Sequence, residues 1–106
     1  MKKYEGMFII KPDLEKDSKK KVTEFISGAI IKEGGEVKDQ SEWGKNRLAY
    51  KIRRCNEGLY ILVHFNLPVE NLSKVEKAYN LNEDILKSMI IVDEGIPEVK
   101  INGEPK

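Results

Sequence analysis

Hydrophobic spacing along this chain alternates between a strand pattern and a helix pattern. Residues 4–10 have strand-like alternation with apolar side chains on both faces, which places this strand in the interior of its sheet. Residues 14–33 follow helical spacing, with the apolar stripe Val22, Phe25, Ile26, Ala29 and Ile30. Gly34-Gly35 predicts the end of this helix, because glycine readily takes the left-handed conformation that closes helices.

Two glycines lie inside these elements. Gly6 in the strand predicts a close approach by a neighbouring group. Gly28 in the helix costs about 1 kcal/mol relative to alanine, and close packing of the helix on the sheet is a reason to keep it.

A β-hairpin is predicted in the middle of the chain. Residues 36–43 are polar and indicate an exposed edge strand or a loop leading into one. Residues 43–54 predict a stronger strand, with Gly44 suited to a bulge and with Leu48, Tyr50 and Ile52 on the buried face. A turn at Asn56-Glu57-Gly58 then leads into the clearest strand, whose inward side chains are Leu59, Ile61, Val63, Phe65 and Leu67.

The last third of the chain predicts a helix, a strand and a tail. Residues 68–80 follow helical spacing, with Leu72, Val75, Ala78 and Tyr79 as the apolar stripe, and residues 85–92 form the last strand. Residues 94–106 lack sustained periodicity, which predicts a flexible C-terminal tail after a single domain at residues 1–93. The element order βαββαβ predicts an α+β ferredoxin-like fold, the split βαβ arrangement: a four-stranded antiparallel sheet with two helices on one face.

Composition sets limits on function without identifying it. The chain has 106 residues, enough for one hydrophobic core, and a formal net charge of only +1, which does not indicate a nucleic-acid-binding protein. A single cysteine excludes an intramolecular disulfide. The apolar run at residues 7–10 is too short for a signal segment or a membrane span, so we expect a cytoplasmic protein with no membrane association.

Charge is unevenly distributed, and the predicted strand at residues 43–54 carries cations without a carboxylate. The cations are Lys45, Arg47, Lys51, Arg53 and Arg54. Such charges either keep an edge strand from pairing with other chains or contact phosphates, and the residues alone favour neither interpretation. Lys2, Lys3 and Lys87 extend this cationic surface if the ends of the first and last strands lie beside it.

Residues typical of catalysis or metal binding do not form a motif. His64 and Cys55 are nine residues apart on the predicted hairpin, with no third ligand or orienting carboxylate placed near them. No glycine-rich phosphate loop follows a strand. Tyr60 and His64 invite comparison with base-stacking strands, but Glu57-Gly58-Leu59 does not match that signature. We therefore expect no catalytic residue, no metal, no cofactor and no small-molecule substrate.

Four motifs resemble the bacterial small-subunit ribosomal protein S6 family over residues 1–93. They are Met1-Lys2-Lys3-Tyr4-Glu5, Trp43-Gly44-Lys45-Asn46-Arg47-Leu48-Ala49-Tyr50-Lys51-Ile52, Gly58-Leu59-Tyr60 and Leu86-Lys87-Ser88-Met89-Ile90. The resemblance implies the same split βαβ fold and a non-catalytic, ribosome-bound role in assembling the platform of the small subunit. It also implies binding to small-subunit ribosomal RNA as a heterodimer with the eighteenth small-subunit ribosomal protein.

The resemblance also suggests which residues contact RNA. The basic character of the family matches this chain at Lys2, Lys3, Arg47 and Lys87. Lys45, Arg53 and Arg54 are added from charge placement alone, while Tyr4 is a candidate whose strand alternation equally favours the core. Asn46 stands where many relatives carry a second cation, which weakens the patch.

Two other functional classes fit the same fold. An acylphosphatase-like enzyme needs an anion cradle after the first strand, and Lys11-Pro12-Asp13-Leu14 offers no obvious one. A ligand-sensing regulatory domain is usually joined to a second domain, which this sequence lacks.

Overall fold

The computed structural model describes residues 1–93, and the elements follow the predicted order. They are β1 (Lys2–Ile10), α1 (Lys16–Lys32), β2 (Glu36–Ile52), β3 (Cys55–Leu67), a 3₁₀ turn (Val69–Asn71), α2 (Leu72–Leu81) and β4 (Ile85–Val92). The strands form one sheet in the order β2-β3-β1-β4 with antiparallel pairing throughout. The ferredoxin-like prediction is therefore confirmed, while the tail predicted at residues 94–106 lies outside the described residues.

The core lies between one face of the sheet and the two helices. The predicted inward side chains of β3 are all buried, and α1 contributes Val22, Ile26 and Ile30. Tyr79 of α2 packs edge-on against Phe8 of β1, with ring centroids 4.8 Å apart, and its hydroxyl donates a 2.6 Å hydrogen bond to the carbonyl of Ile26. Burial raises the pKa of the Tyr79 hydroxyl, which therefore stays protonated and keeps this hydrogen bond.

The glycine predictions have mixed outcomes. Gly34 takes φ +86 directly after Glu33, the residue that caps the end of α1, as its helix-ending role requires. Gly6 is buried, and a β-carbon there would meet the ring of Phe8 at 2.8 Å, which confirms the close approach. The prediction for Gly28 is wrong, because Gly28 is exposed and a β-carbon there would meet nothing within 4 Å.

The hairpin turn lies at Arg53-Arg54, so the predicted turn at residues 56–58 is wrong. Ile52 pairs with Cys55, which leaves a two-residue turn whose φ angles are +48 and +70. Positive φ at both central residues is the geometry of a type I′ turn, where asparagine and glycine are usual. The pattern was misleading because two arginines fill this turn, whereas the usual turn residues lie inside β3.

The turn end of the hairpin, residues 46–58, extends past the rest of the sheet, and we call these residues the hairpin arm. Ile10, the last residue of β1, pairs with Leu59, so no third strand accompanies the arm. Tyr50 was predicted to be buried but is 61% exposed, and Leu48 and Ile52 are only partly buried. Before the arm begins, the register shifts between Glu42 and Gly44, where φ is +88, which confirms the predicted bulge.

Candidate nucleic-acid interface

The turn of the hairpin arm presents two exposed arginines. Arg53 points toward the connection between α2 and β4, where its Nη1 donates a 2.9 Å hydrogen bond to the carbonyl of Glu83. Lys11 lines the same concavity of about 310 Å³ as Arg53 and Glu83. A guanidinium has five N–H donors, so one bond to a carbonyl leaves Arg53 able to bind a phosphate as well.

Lys45 and Arg47 lie on β2 close to the loop that follows β1. The Nζ of Lys45 lies 3.8 Å from Oδ1 of Asp13, and both side chains are largely exposed. Such a pair contributes about 0–1 kcal/mol, so a phosphate can compete with the carboxylate. Arg47 is paired in register with Glu57 and shares a concavity of about 400 Å³ with Arg54.

Lys87 joins the hairpin arm from the opposite edge of the sheet. It pairs in register with Ile9, near the end of β1 where the arm begins. Its Nζ donates a 3.1 Å hydrogen bond to the hydroxyl of Tyr50. The structure therefore brings five of the predicted RNA-binding cations to one end of the sheet, which we call the cationic end: Lys45, Arg47, Arg53, Arg54 and Lys87.

Lys2 and Lys3 lie at the other end of the sheet, so the expectation that they extend the same surface is wrong. Lys3 pairs with Asn66, whereas Arg47 pairs with Glu57, and nine residues of β3 separate these positions. At the rise of an antiparallel strand the separation is about 30 Å. Antiparallel pairing explains the difference, because it puts the start of β1 beside the end of β4, whereas Lys87 is near the start of β4.

Tyr4 belongs to the core, which corrects its inclusion among the RNA-binding candidates. It is only 2% exposed, and its ring stacks on Phe65 with centroids 5.5 Å apart. Strand alternation had left both interpretations open, and the helix layer that covers this face of β1 decides between them.

Sequence reasoning missed two kinds of neighbour at the cationic end. Strand alternation predicts Tyr50 in the core, and Lys11 lies outside the cationic strand because it follows β1. The acids Asp13, Glu57 and Glu83 come from other segments, so the absence of carboxylates in residues 43–54 overstates the local charge. Only the strand pairing and the loop contacts could have revealed them.

Other chemistry is poorly supported in this region. Among residues 1–93 no three His, Cys, Asp or Glu side chains come together as a metal site requires. His64 instead donates from Nδ1 to Oδ1 of Asp39 at 2.7 Å. An anion cradle after β1 would need free amides, but the amide of Lys11 donates to the carbonyl of Asp84 and Pro12 has none. No helix in this part of the chain is long and apolar enough to cross a membrane.

Comparison with known proteins agrees with the resemblance seen in the motifs. The family model for ribosomal protein S6 matches residues 3–92. The small ribosomal subunit protein bS6 of Caldanaerobacter subterraneus subsp. tengcongensis is 35% identical over 91 residues, which cover 86% of this chain and 96% of that protein. The crystal structure of 30S ribosomal protein S6 from Thermotoga maritima superposes with a TM-score of 0.80 at 26% identity and covers 87% of each chain. The chain therefore belongs to the ribosomal protein S6 family of the small ribosomal subunit.

Proposed function

We propose that this protein binds small-subunit ribosomal RNA as a heterodimer with the eighteenth small-subunit ribosomal protein. In this role it is a cytoplasmic, ribosome-bound structural component that supports assembly of the subunit platform, and it carries out no catalysis. The observation that carries the proposal is the convergence of Arg47, Arg53 and Arg54 at one exposed end of the sheet, in a chain of the ribosomal protein S6 family.

Phosphates are the ligand class that suits the cationic end. Its side chains are exposed, they come from two segments of the chain (residues 45–54 and Lys87), and their carboxylate contacts are long or solvated. Each lysine or arginine that engages a phosphate releases counterions, so binding must weaken as salt rises. Lys2 and Lys3 form a second, smaller group of RNA-binding candidates at the far end of β1. The net charge of +1 predicts weak binding by the free protein, with the partner contributing much of the affinity.

The test is RNA binding by neutralised variants in the presence of the partner protein. Arg47→Gln is preferable to a charge reversal, because glutamate opposite Glu57 would add a like-charge pair across the strands. We expect Arg47→Gln to weaken binding to the central-domain junction of the ribosomal RNA and to lower the salt slope by about one unit. Lys74→Gln is the matched control, since Lys74 is an exposed cation on α2, away from the cationic end.

Two outcomes would contradict the proposal. One is unchanged affinity when Arg47, Arg53 and Arg54 are all replaced by glutamine in a folded protein. The other is failure of the wild-type protein to sediment with small ribosomal subunits at low salt, with the partner protein present.

A further inference from the structure

Tyr50 is a large aromatic side chain exposed on the hairpin arm. It is 61% exposed, although it lies in a strand and between two partly buried neighbours of the same face, Leu48 and Ile52. Leaving an aromatic ring in water forgoes the stabilisation that its burial would bring. The basic residues assigned to RNA binding do not explain why an aromatic ring stands among them.

The contact with Lys87 fixes the ring without covering it. The Nζ of Lys87 lies 3.1 Å from the hydroxyl oxygen and 5.6 Å from the ring centroid. The distance from Nζ to the ring centroid is nearly the sum of the Nζ–oxygen distance and the distance from the hydroxyl oxygen to the centroid. Nζ therefore lies close to the line that runs from the centroid through the hydroxyl oxygen, and the ammonium approaches the hydroxyl edge of the ring. A cation held at the edge does not occupy either aromatic face.

The arm that carries Tyr50 is anchored at two points, its turn and the Tyr50 side chain. Arg53 joins the turn to the carbonyl of Glu83, and Lys87 joins the ring to β4. Lys87 lies on β4, the outer strand opposite β2, and Glu83 lies in the connection that leads into β4. Because these contacts already restrict the arm, less conformational entropy is lost when a ligand binds to the ring.

We propose that Tyr50 is a stacking platform for an unpaired RNA base, whose neighbouring phosphate contacts Lys87. This rests on the proposed RNA-binding function and adds that the cationic end binds single-stranded nucleotides. Every base offers a flat π-face to an aromatic side chain, but bases inside a duplex have both faces covered by their neighbours. Lys87 lies beside the ring and Arg53 lies in the turn of the same arm, and these cations favour a polyanion over an apolar protein surface as the occupant of the ring.

The test compares single-stranded oligoadenylate with the same strand annealed to oligouridylate, at low salt, by fluorescence anisotropy. We expect Tyr50→Leu to weaken single-strand binding about tenfold and to leave duplex binding within about twofold. Tyr50→Phe keeps the ring and should recover most of the affinity. Phe25→Leu is the matched control, because Phe25 is a partly exposed aromatic on the helix layer, and it should change neither affinity.

The salt dependence separates stacking from charge. Tyr50→Leu should leave the salt slope unchanged, whereas Lys87→Gln should lower it by about one unit. Equal losses on single strand and duplex, or no loss with Tyr50→Leu, would overturn the stacking role. If Arg47→Gln still weakens both RNAs in that case, the phosphate contacts stand and only the platform fails. If Tyr50→Leu weakens binding to the partner protein and not to either RNA, the ring is a protein contact and the proposal is wrong.

Discussion

The guanidinium of Arg53 donates a 2.9 Å hydrogen bond to the carbonyl oxygen of Glu83, thirty residues further along the chain. This bond joins the turn of the hairpin arm to the connection between α2 and β4. Arg53 takes φ +48 and Arg54 takes φ +70, a backbone region that is unfavourable for residues with a side chain. The arm therefore keeps two cations in a turn where glycine or asparagine would be the more stable choice.

We predict that Arg54→Gly increases stability and weakens RNA binding. Glycine removes the left-handed strain, while its larger conformational freedom in the unfolded chain offsets part of the gain. The expected increase in the free energy of unfolding is about 0.5 to 1 kcal/mol, measured by urea denaturation. Loss of one cation should lower the salt slope of RNA binding by about one unit.

Arg54→Lys is the control for this prediction. Lysine keeps both the charge and the strain, so stability and salt slope should stay near the wild-type values. A glycine variant less stable than the wild type would show that the Arg54 side chain makes a stabilising contact that outweighs its strain.

The hairpin shows where sequence reasoning about the fold succeeds and where it fails. Alternation from Leu59 to Leu67 predicted the buried face of β3 correctly, because both helices cover that face. The same alternation failed at Tyr50, since side-chain direction alone does not say where the covering layer ends. That limit depends on the length of β1, which stops opposite Leu59.

We predict that His64 makes stability depend on pH. The hydrogen bond to Asp39 raises the pKa of His64 above 6.5, with smaller contributions from the charges of Asp39, Glu5 and Asp93, against the lowering effect of desolvation. A raised folded-state pKa means that the folded protein binds the proton more tightly. The stabilisation is therefore fully present below about pH 6.5 and is lost as the pH rises through the folded-state pKa.

The measurement is NMR titration of the His64 ring together with unfolding at pH 5.5 and pH 8. Both side chains are partly solvated, so the stability difference from this pair should not exceed about 1 kcal/mol. Asp39→Asn is the control, and it should lower the pKa of His64 and reduce the difference. Because His64 is the only histidine, its signal is unambiguous. A pKa at or below 6.5 in the wild-type protein contradicts the prediction.

We predict that alanine has opposite effects at two glycines, one inside α1 and one just after it. Gly28 lies on the exposed face of α1 with nothing within 4 Å of an added β-carbon, so Gly28→Ala should stabilise by about 1 kcal/mol. A β-carbon at Gly35 would lie 2.5 Å from the carbonyl oxygen of Asn66 and 2.7 Å from Cγ2 of Ile30. Gly35→Ala should therefore destabilise by about 1–3 kcal/mol.

Thermal unfolding of the two variants checks this pair, and each serves as the control for the other. If both substitutions shift the melting temperature in the same direction, helix propensity at Gly28 and crowding at Gly35 do not explain the effects of alanine.

The candidate site was only partly predictable, for reasons of topology. The motif Trp43–Ile52 indicated the family, and family membership is shown by the comparisons. The sequence could not indicate that Asp13 approaches Lys45 or that Tyr50 reaches Lys87, because these contacts join residues more than thirty positions apart. It also merged two cationic groups that lie at opposite ends of the sheet.

That separation leads to a prediction about energetic independence. Lys3 and Arg47 lie about 30 Å apart along β3. The Debye length at 0.1 M salt is about 10 Å, so each cation should interact with its own segment of RNA. Lys3→Gln and Arg47→Gln should each lower the salt slope by about one unit, and their effects on binding free energy should add within about 0.5 kcal/mol.

Arg47 and Arg54 provide the comparison, since they line one concavity and share its neighbours. Residues that share partners commonly deviate from additivity by about 0.5–3 kcal/mol, so Arg47→Gln combined with Arg54→Gln should not add. Both double-mutant cycles are measured with the junction RNA and the partner protein present. Strong coupling between Lys3 and Arg47 would mean that a single RNA segment, or a shared change in the protein, connects the two ends of the sheet.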